Sequence, residues 1–228
     1  MKNFTLDGRL SSAAKFVRQG ARFADIGTDH AYLPIFLLES GKIDCAVCSD
    51  INEGPLASAK ENALAAGVYD KIDFTLANGA DGLIDKDITD VAICGMGGEL
   101  IAEIIRRAGF LRKENVRLIM QPMSRFAHLR RELSGLGYEI EDEEYSASHG
   151  KLYVTFCASY TGLVREISDT EAEFGKEKFL TDISGYKRSF LEKRRAALAR
   201  AVMGKAKSGN PDAKETELYN YVNEILGR

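Results

Sequence analysis

No stretch of the 228-residue sequence approaches the roughly 20 uninterrupted apolar residues of a membrane-spanning helix. The opening residues, MKNFTLDGRLSSAAKF, hold no apolar run long enough for a secretory signal. There is no excess of basic charge either. Thirty-one basic residues stand against 34 acidic ones, a formal charge of −3, which excludes a histone-like coating of nucleic acid and makes any basic patch local. Cysteine is scarce, and Cys45, Cys48, Cys94 and Cys157 all fall in apolar, strand-like contexts. The Cys45/Cys48 CxxC has no second pair and no histidine nearby, so buried reduced thiols are expected rather than a metal or redox site. Reduced thiols and the missing leader predict a cytoplasmic protein. Internal repeats and low-complexity tracts are absent, and 45% hydrophobic with 29% charged residues excludes wholesale disorder.

The length has room for one full α/β domain and a smaller appendage. Five β-rich runs, 21–26, 44–51, 72–77, 90–95 and 116–122, alternate with helical patterns over Tyr32–Glu39, Pro55–Ala66, Leu100–Ala108 and Phe126–Leu136. That alternation predicts a parallel, Rossmann-like sheet covered on both faces. Two further strands, 138–147 and 151–160, meet at His149-Gly150 with no helix between them, which predicts an antiparallel hairpin at one edge. From Asp169 onward the apolar residues recur at helical spacing, GKAKSGNP (204–211) reads as a turn, and a last helix is expected over 212–226. The expected division is an α/β domain over 1–160 and an α-helical hairpin domain over 161–228.

The segment ADIGTDHAYLP (24–34) carries the most chemistry. A strand ending in Asp25, then Gly27, then a helix, begins a mononucleotide-binding half. Asp29 occupies the second glycine position of the G-x-G-x-x-G fingerprint, where an acidic group would repel a pyrophosphate. A cofactor with a cationic amino group and no phosphate fits better, and S-adenosylmethionine has that chemistry. Asp29 can alternatively cap the following helix. Asp50 ends the second strand, where a carboxylate accepts hydrogen bonds from ribose hydroxyls. ANGADGL (77–83) supplies small residues against which a flat base can lie, with Asp81 or a backbone N–H reading its edge. The fourth strand runs into CGMGGELI (94–101), whose three glycines are costly unless a planar substrate slides against the main chain or the strand packs closely on the helix. The D/N-P-P-Y/F motif of exocyclic-amine methyltransferases is absent; Gly95-Met96-Gly97-Gly98 can supply carbonyl acceptors and a thioether surface instead.

ADIGTDHAYLPIFL, SDIN with GPL after it, NGADGL, DVAICGMGGELI and LIMQP followed by a Leu-Arg-containing helix resemble the bacterial tRNA (adenine-22-N1)-methyltransferases over nearly the whole chain. The resemblance implies a class I S-adenosylmethionine-dependent methyltransferase domain, a helical C-terminal domain, and N1 methylation of an adenosine in tRNA. By motif it places Asp25, Gly27, Thr28 and Asp29 in the cofactor pocket, Asp50 and Ile51 at the ribose where some members have glutamate, Asn78, Gly79, Ala80 and Asp81 around the cofactor adenine, and Cys94 with Gly95 beside them. Asp29, Gly95, Met96 and Gly97 would face the target base. Met123-Ser124 follows Gln121-Pro122 where some members carry Asn-Val, so no role of that asparagine transfers. His30 and Tyr32 can orient or stack on a ligand, or simply pack.

The stretch from Gly185 to Lys207 carries eight basic residues against Glu192 alone. Such segregation in a chain of net charge −3 is a footprint for polyanion binding, against the alternative of a solvated helix face. It makes tRNA the expected partner, through Lys187, Arg188, Lys193, Arg194, Arg195 and Arg200, with neither DNA nor membrane expected and a monomer or weak homo-oligomer as the assembly. Two rivals remain at this point: a small-molecule methyltransferase with a helical lid, and a non-catalytic, cofactor-responsive RNA-binding module.

Overall fold

The computed structural model describes residues 5–207 and 212–227. A seven-stranded sheet with order β3-β2-β1-β4-β5-β7-β6 forms its centre. The strands are β1 (Phe23–Ile26), β2 (Ala46–Asp50), β3 (Ile72–Leu76), β4 (Asp90–Met96), β5 (Arg117–Pro122), β6 (Tyr138–Ser148) and β7 (Lys151–Tyr160). The first five are mutually parallel, and β7 lies antiparallel between β5 and β6. The edge hairpin turns at His149-Gly150, with φ of 48° and 74°, the pair of positive angles a two-residue primed turn demands.

Helices α1 (Gly8–Phe16), α2 (Tyr32–Glu39), α3 (Glu53–Ala66), α4 (Gly98–Arg107) and α5 (Phe126–Gly135) cover the two faces. Strand alternation sends Val91 and Ile93 of β4 into the core beneath α4 and α5, and Ala92 into the opposite core beneath α1 to α3. Helix α3 starts two residues before Pro55, which still sits in the first turn, where a missing N–H is harmless. Helix α1 was not anticipated. Asp7 caps it by accepting from the Leu10 N–H at 2.8 Å, and it buries only Ser12, Ala13 and Ala14, too small to print an amphipathic pattern. Cys45 is exposed, contrary to the expectation of four buried thiols, because it lies just outside β2, whereas Cys48 is buried within it.

The C-terminal part comprises α6 (Asp169–Phe174), α7 (Gly185–Lys207) and α8 (Ala213–Gly227). Residues 204–207 of the expected turn continue α7, and 208–211 lie outside the described residues. Phe174, Leu180, Leu191, Leu198, Leu218, Val222 and Ile225 make a small core of their own. A buried ion pair ties this part to the sheet. Arg130 of α5 makes two 3.0 Å bonds to Glu143 of β6 and donates from Nη1 to the carbonyls of Ala172 and Glu173 at 3.0 and 3.1 Å. Its guanidinium also lies over the Phe156 ring, 4.5 Å from the centroid. Replacing Arg130 with Met leaves a buried carboxylate and two carbonyls unpaired, so urea unfolding should show a loss of about 3–5 kcal/mol. A loss below about 1 kcal/mol would mean the pair contributes nothing net.

Candidate active site

A cleft of about 520 Å³ opens at the carboxyl ends of β1, β2 and β4, where the strand order reverses direction. Of the residues expected there, Asp25, Gly27, Asp29, Asp50, Ile51, Cys94, Gly95 and Met96 line it. The loop after β1 is held by β2, since the N–H groups of Gly27 and Thr28 both donate to the Ser49 carbonyl, at 2.7 and 3.1 Å. Gly27 has φ of 74°, the left-handed conformation that favours glycine, and a Cβ there would displace the flexible end of Met96, whose Cε stands 2.1 Å away.

Three carboxylates differ in setting. Asp25 is 8% exposed and accepts a 2.6 Å bond from the Thr28 hydroxyl. Burial outweighs that bond and pushes its carboxyl up to about 6; Arg9 opposes the rise and Asp50 adds to it. Asp50 accepts from the Asn52 N–H at 2.9 Å, closing the turn into α3. Asp29 is open to solvent, 3.4 Å from His30 Nε2, and His30 stacks on Tyr32 with ring centroids 5.1 Å apart. Asp29 does not cap α2: that position belongs to Ala31, in a left-handed conformation with φ of 54° and no side-chain cap. Such a φ costs a non-glycine residue about 1–2 kcal/mol, a strain found where a loop is held for function. Burial pushes the Cys94 thiol up to about 12, so it stays protonated.

Other expected residues lie elsewhere. Thr28 is buried behind Asp25. Asn78, Gly79, Ala80 and Asp81 lie outside the cleft lining: a short 3-10 helix over Gly79–Leu83 turns Ala80 and Leu83 into the core, Gly79 offers its carbonyl to Ser49, and Asp81 pairs with Arg107 at 3.0 Å. The GMGG glycines divide by role. Gly95 faces the cleft with φ of 80°, Gly97 precedes α4, and Gly98 answers to packing, since a Cβ there would meet the carbonyls of Ser124 and Arg125 at 2.8 and 2.7 Å. The Met96 carbonyl already accepts from the Met123 N–H at 2.8 Å.

Sequence reasoning missed Arg9, Leu10, Asn52, Met123 and Tyr153, which also line the cleft. Arg9 and Leu10 come from α1, whose place is set by a buried polar network. The fully buried Gln121 donates to the Arg9 carbonyl at 2.9 Å and to the Thr155 hydroxyl at 2.8 Å, and Ser12 bonds the same two groups at 2.7 and 2.8 Å. Asp7 followed by GRLSSAAKF was the available signal, a capping residue before a run of small helix formers.

The basic residues of α7 divide as well. Lys187 donates to the Phe179 carbonyl at 2.7 Å and lies over the Tyr145 ring. Arg188 pairs with Glu192 at 3.2 Å, Arg194 with Glu173, and Lys205 with Asp212 and Glu215 at the start of α8. Lys205 therefore turns away from the face expected for it beside Arg188 and Arg195. Lys193, Arg200 and Lys207 are exposed at seven-residue spacing, with Tyr186 one step before them, and Arg195 is half-buried.

A parallel sheet with an antiparallel edge hairpin, and an acid-lined cleft at its switch point, define a Rossmann-like methyltransferase, and residues 6–156 match the methyltransferase domain family. The chain belongs to the tRNA (adenine(22)-N(1))-methyltransferase family. It is 32% identical over 174 residues to the Bacillus subtilis (strain 168) protein of that name, covering 76% of this chain and 70% of that one. Among solved structures it is similar to Streptococcus pneumoniae Sp1610, described as a candidate tRNA (m1A22) methyltransferase and solved with S-adenosyl-L-methionine, at 33% identity and TM-score 0.82 over 96% of this chain and 98% of that one. It is also similar to M. capricolum TrmK, solved with S-adenosyl-homocysteine, at 29% identity and TM-score 0.78 over 97% and 96%.

The Asp25 carboxyl sets a pH dependence. Its folded value lies above the 3.8 of an unperturbed aspartate, so the folded protein binds more protons between those values, and stability falls as pH rises through that window. Asp25→Asn should therefore stabilise the ligand-free protein above pH 6, by up to about 3 kcal/mol, with the gain vanishing below pH 4. Urea titrations of both proteins at pH 4 and 7.5 check this, and an equal effect at both would refute it.

Proposed function

We propose that this protein is an S-adenosylmethionine-dependent methyltransferase that acts on N1 of an adenosine in tRNA, at position 22. The observation that carries the reading is the cleft: carboxylates around bare backbone at the switch point of a sheet of this family. The residues fit the cofactor. Gly27 brings bare backbone to the cleft lining, and the carboxylates suit a ligand with cationic groups and ribose hydroxyls but no phosphate. When bound, S-adenosylmethionine supplies an electrophilic methyl group on a sulfonium. Asp50, with one oxygen turned to the Asn52 N–H, holds the ribose hydroxyls in this reading, and Asp25 faces the amino-acid end. Asn78 to Asp81 are better read as a wall behind the ribose strand than as contacts.

N1 of neutral adenine already carries a lone pair, so no residue has to remove a proton before transfer. The residues have to align the base and supply negative potential as it becomes cationic. In this reading Asp29, exposed beside the His30–Tyr32 stack, takes that task, and Gly95 and Met96, which line the same cleft, face the base with it. Asp29→Ala should slow single-turnover methylation at least tenfold, about 1.4 kcal/mol of barrier, while leaving the unfolding midpoint unchanged. A rate within threefold of wild type would remove Asp29 from the chemistry.

Residues 161–228 serve in this reading as the tRNA-binding part, anchored through α6 to a catalytic domain over 1–160. The phosphate contacts fall to Lys193, Arg195 and Arg200, with Lys207 continuing the exposed stripe, because Lys187, Arg188 and Arg194 are engaged within the protein. Charge reversal tests this better than truncation, which would strip the partners from Arg130. Lys193→Glu with Arg200→Glu should weaken tRNA binding and lower the log–log salt slope by roughly 1.5–2, with S-adenosylhomocysteine affinity unchanged. An unchanged slope would assign the stripe to solvent. The reaction itself is tested by incubation with unmodified tRNA and labelled cofactor, followed by nucleoside analysis. Label in 1-methyladenosine at position 22 is expected; label only in small molecules, or none, would favour the lid or the non-catalytic reading.

A further inference from the structure

The three carboxylates of the cleft, Asp25, Asp29 and Asp50, set a problem for a polyanionic substrate. A base that enters is turned out of its strand while its phosphates stay outside at the rim, where the charge of the cleft repels them. The loop after β5 forms part of that rim. Met123, which lines the cleft, donates its N–H to the Met96 carbonyl at 2.8 Å, and Gly98 donates to the Ser124 carbonyl at 2.9 Å, so the loop is stitched to the backbone of GMGG. Arg125 follows, with φ of 58° and ψ of 39°, no side-chain cap to α5, and a side chain 67% exposed. Glycine or asparagine takes that conformation at little cost, and asparagine can cap a helix as well. Arginine serves neither purpose, so what it contributes is its guanidinium. The one described partner of that group is Glu99 of α4, 3.2 Å away and equally open to water, a pair worth little to the fold. The neighbouring Phe126 packs edge-on against Phe190, ring centroids 5.4 Å apart. Arg125 thus lies between the cleft and the start of α7, whose exposed residues include Tyr186, Lys193 and Arg200.

We propose that Arg125 receives a backbone phosphate of the target nucleotide and so positions its base over the cleft. The inference rests on reading the substrate as tRNA. A guanidinium fork meets two phosphate oxygens at once, and the loop beneath it is already fixed by its two backbone bonds. Exchanging the exposed Glu99 for a phosphate therefore costs the protein little and disturbs no packing. The stripe on α7 would grip phosphates farther along the tRNA and govern how tightly it is held. Arg125 acts beside the reacting nucleotide, so it bears on the rate of transfer. A competing role, a surface ion pair fastening α4 to the loop, would be indifferent to the charge of any phosphate. General steering by a positive rim would respond to total charge but not to one particular linkage.

The test compares two tRNAs on four full-length proteins by single-turnover methylation. One tRNA is unmodified; in the other, the linkages flanking the adenosine that wild type labels are uncharged methylphosphonates. Wild type should methylate the neutralised tRNA on the order of tenfold more slowly, the low end of a charge-assisted bond because the rim is open to water. Arg125→Gln should lose that factor on unmodified tRNA and match wild type on the neutralised one, within about twofold, so that it no longer distinguishes the two. Arg125→Gly, which relieves the backbone, should behave as Arg125→Gln with no fall in the unfolding midpoint, separating loss of the guanidinium from loss of the fold. Glu99→Gln, which removes the competing partner, should keep the discrimination and react at least as fast as wild type. Equal losses by Arg125→Gln on both tRNAs would overturn the proposal in favour of general steering. Full rates on both, or a wild type indifferent to the neutral linkages, would overturn it in favour of the surface ion pair. A wild-type protein that methylates no tRNA would instead overturn the reading of the substrate.

Discussion

Arg130 and Glu143 are 3% and 0% exposed at their side chains, and the C-terminal helices meet the sheet around them. Taking two charges out of water costs several kcal/mol each, and only a fully satisfied geometry offsets it. Here both bonds are 3.0 Å, and the remaining donors of the guanidinium reach the last carbonyls of α6. The Tyr145 hydroxyl adds a bond to Glu143 at 3.1 Å, and a Cβ on Gly175 would come within 3.0 Å of both carboxylate oxygens, so the chain leaving α6 has to be glycine there. Phe190 of α7 closes the arrangement with edge contacts to Phe126 and Tyr145. The start of α7 is thus fixed to α5 and β6 by directional contacts on several sides. A 23-residue helix extends about 34 Å from that point, so its outer turns are held at a set reach from the cleft.

The same logic governs the cleft. Its walls are set by backbone and by a buried polar network rather than by the lining side chains. Ser12, Gln121 and Thr155 satisfy one another and hold α1 across β5 and β7, while the Ser49 carbonyl holds the loop after β1. The lining groups are then free to be chosen for charge. In a chain of nearly balanced composition, the cleft concentrates three carboxylates against one guanidinium. That local excess favours a cationic ligand and a cationic product, and disfavours a pyrophosphate.

What the sequence disclosed followed how strongly each element marks itself. Strands rich in Val, Ile and Phe, such as DVAICG, stood out, and their ends gave Asp25, Asp50 and Gly95, because strand ends at a switch point face the ligand by topology alone. Helix α1 was illegible because its buried face is Ser12, Ala13 and Ala14, and with it went Arg9. The role of Asn78 to Asp81 is illegible in sequence, because a loop of small residues with Asn and Asp looks alike whether it faces a ligand or folds Ala80 into the core. The basic count of α7 was plain, but its distribution was not. The partners of Lys205 and Arg194 come from Asp212, Glu215 and Glu173, which no local window around α7 contains together.

Asp25 is where these constraints meet. A carboxylate 8% exposed, with the Thr28 hydroxyl and a partly solvated Arg9 as its favourable partners, is poorly compensated in the ligand-free fold. A purely structural position would lose nothing by holding asparagine there, which accepts the same bond from Thr28 without the desolvation cost of a charge. The cost makes sense if the missing compensation arrives with a ligand. An ammonium group beside Asp25 would restore its ionised form. Strain at Ala31 belongs to the same account, since a loop stabilised only by its own contacts would relax to an ordinary φ. The ligand-free cleft is held in a state whose electrostatic cost binding removes, which is how a preorganised site turns folding energy into affinity.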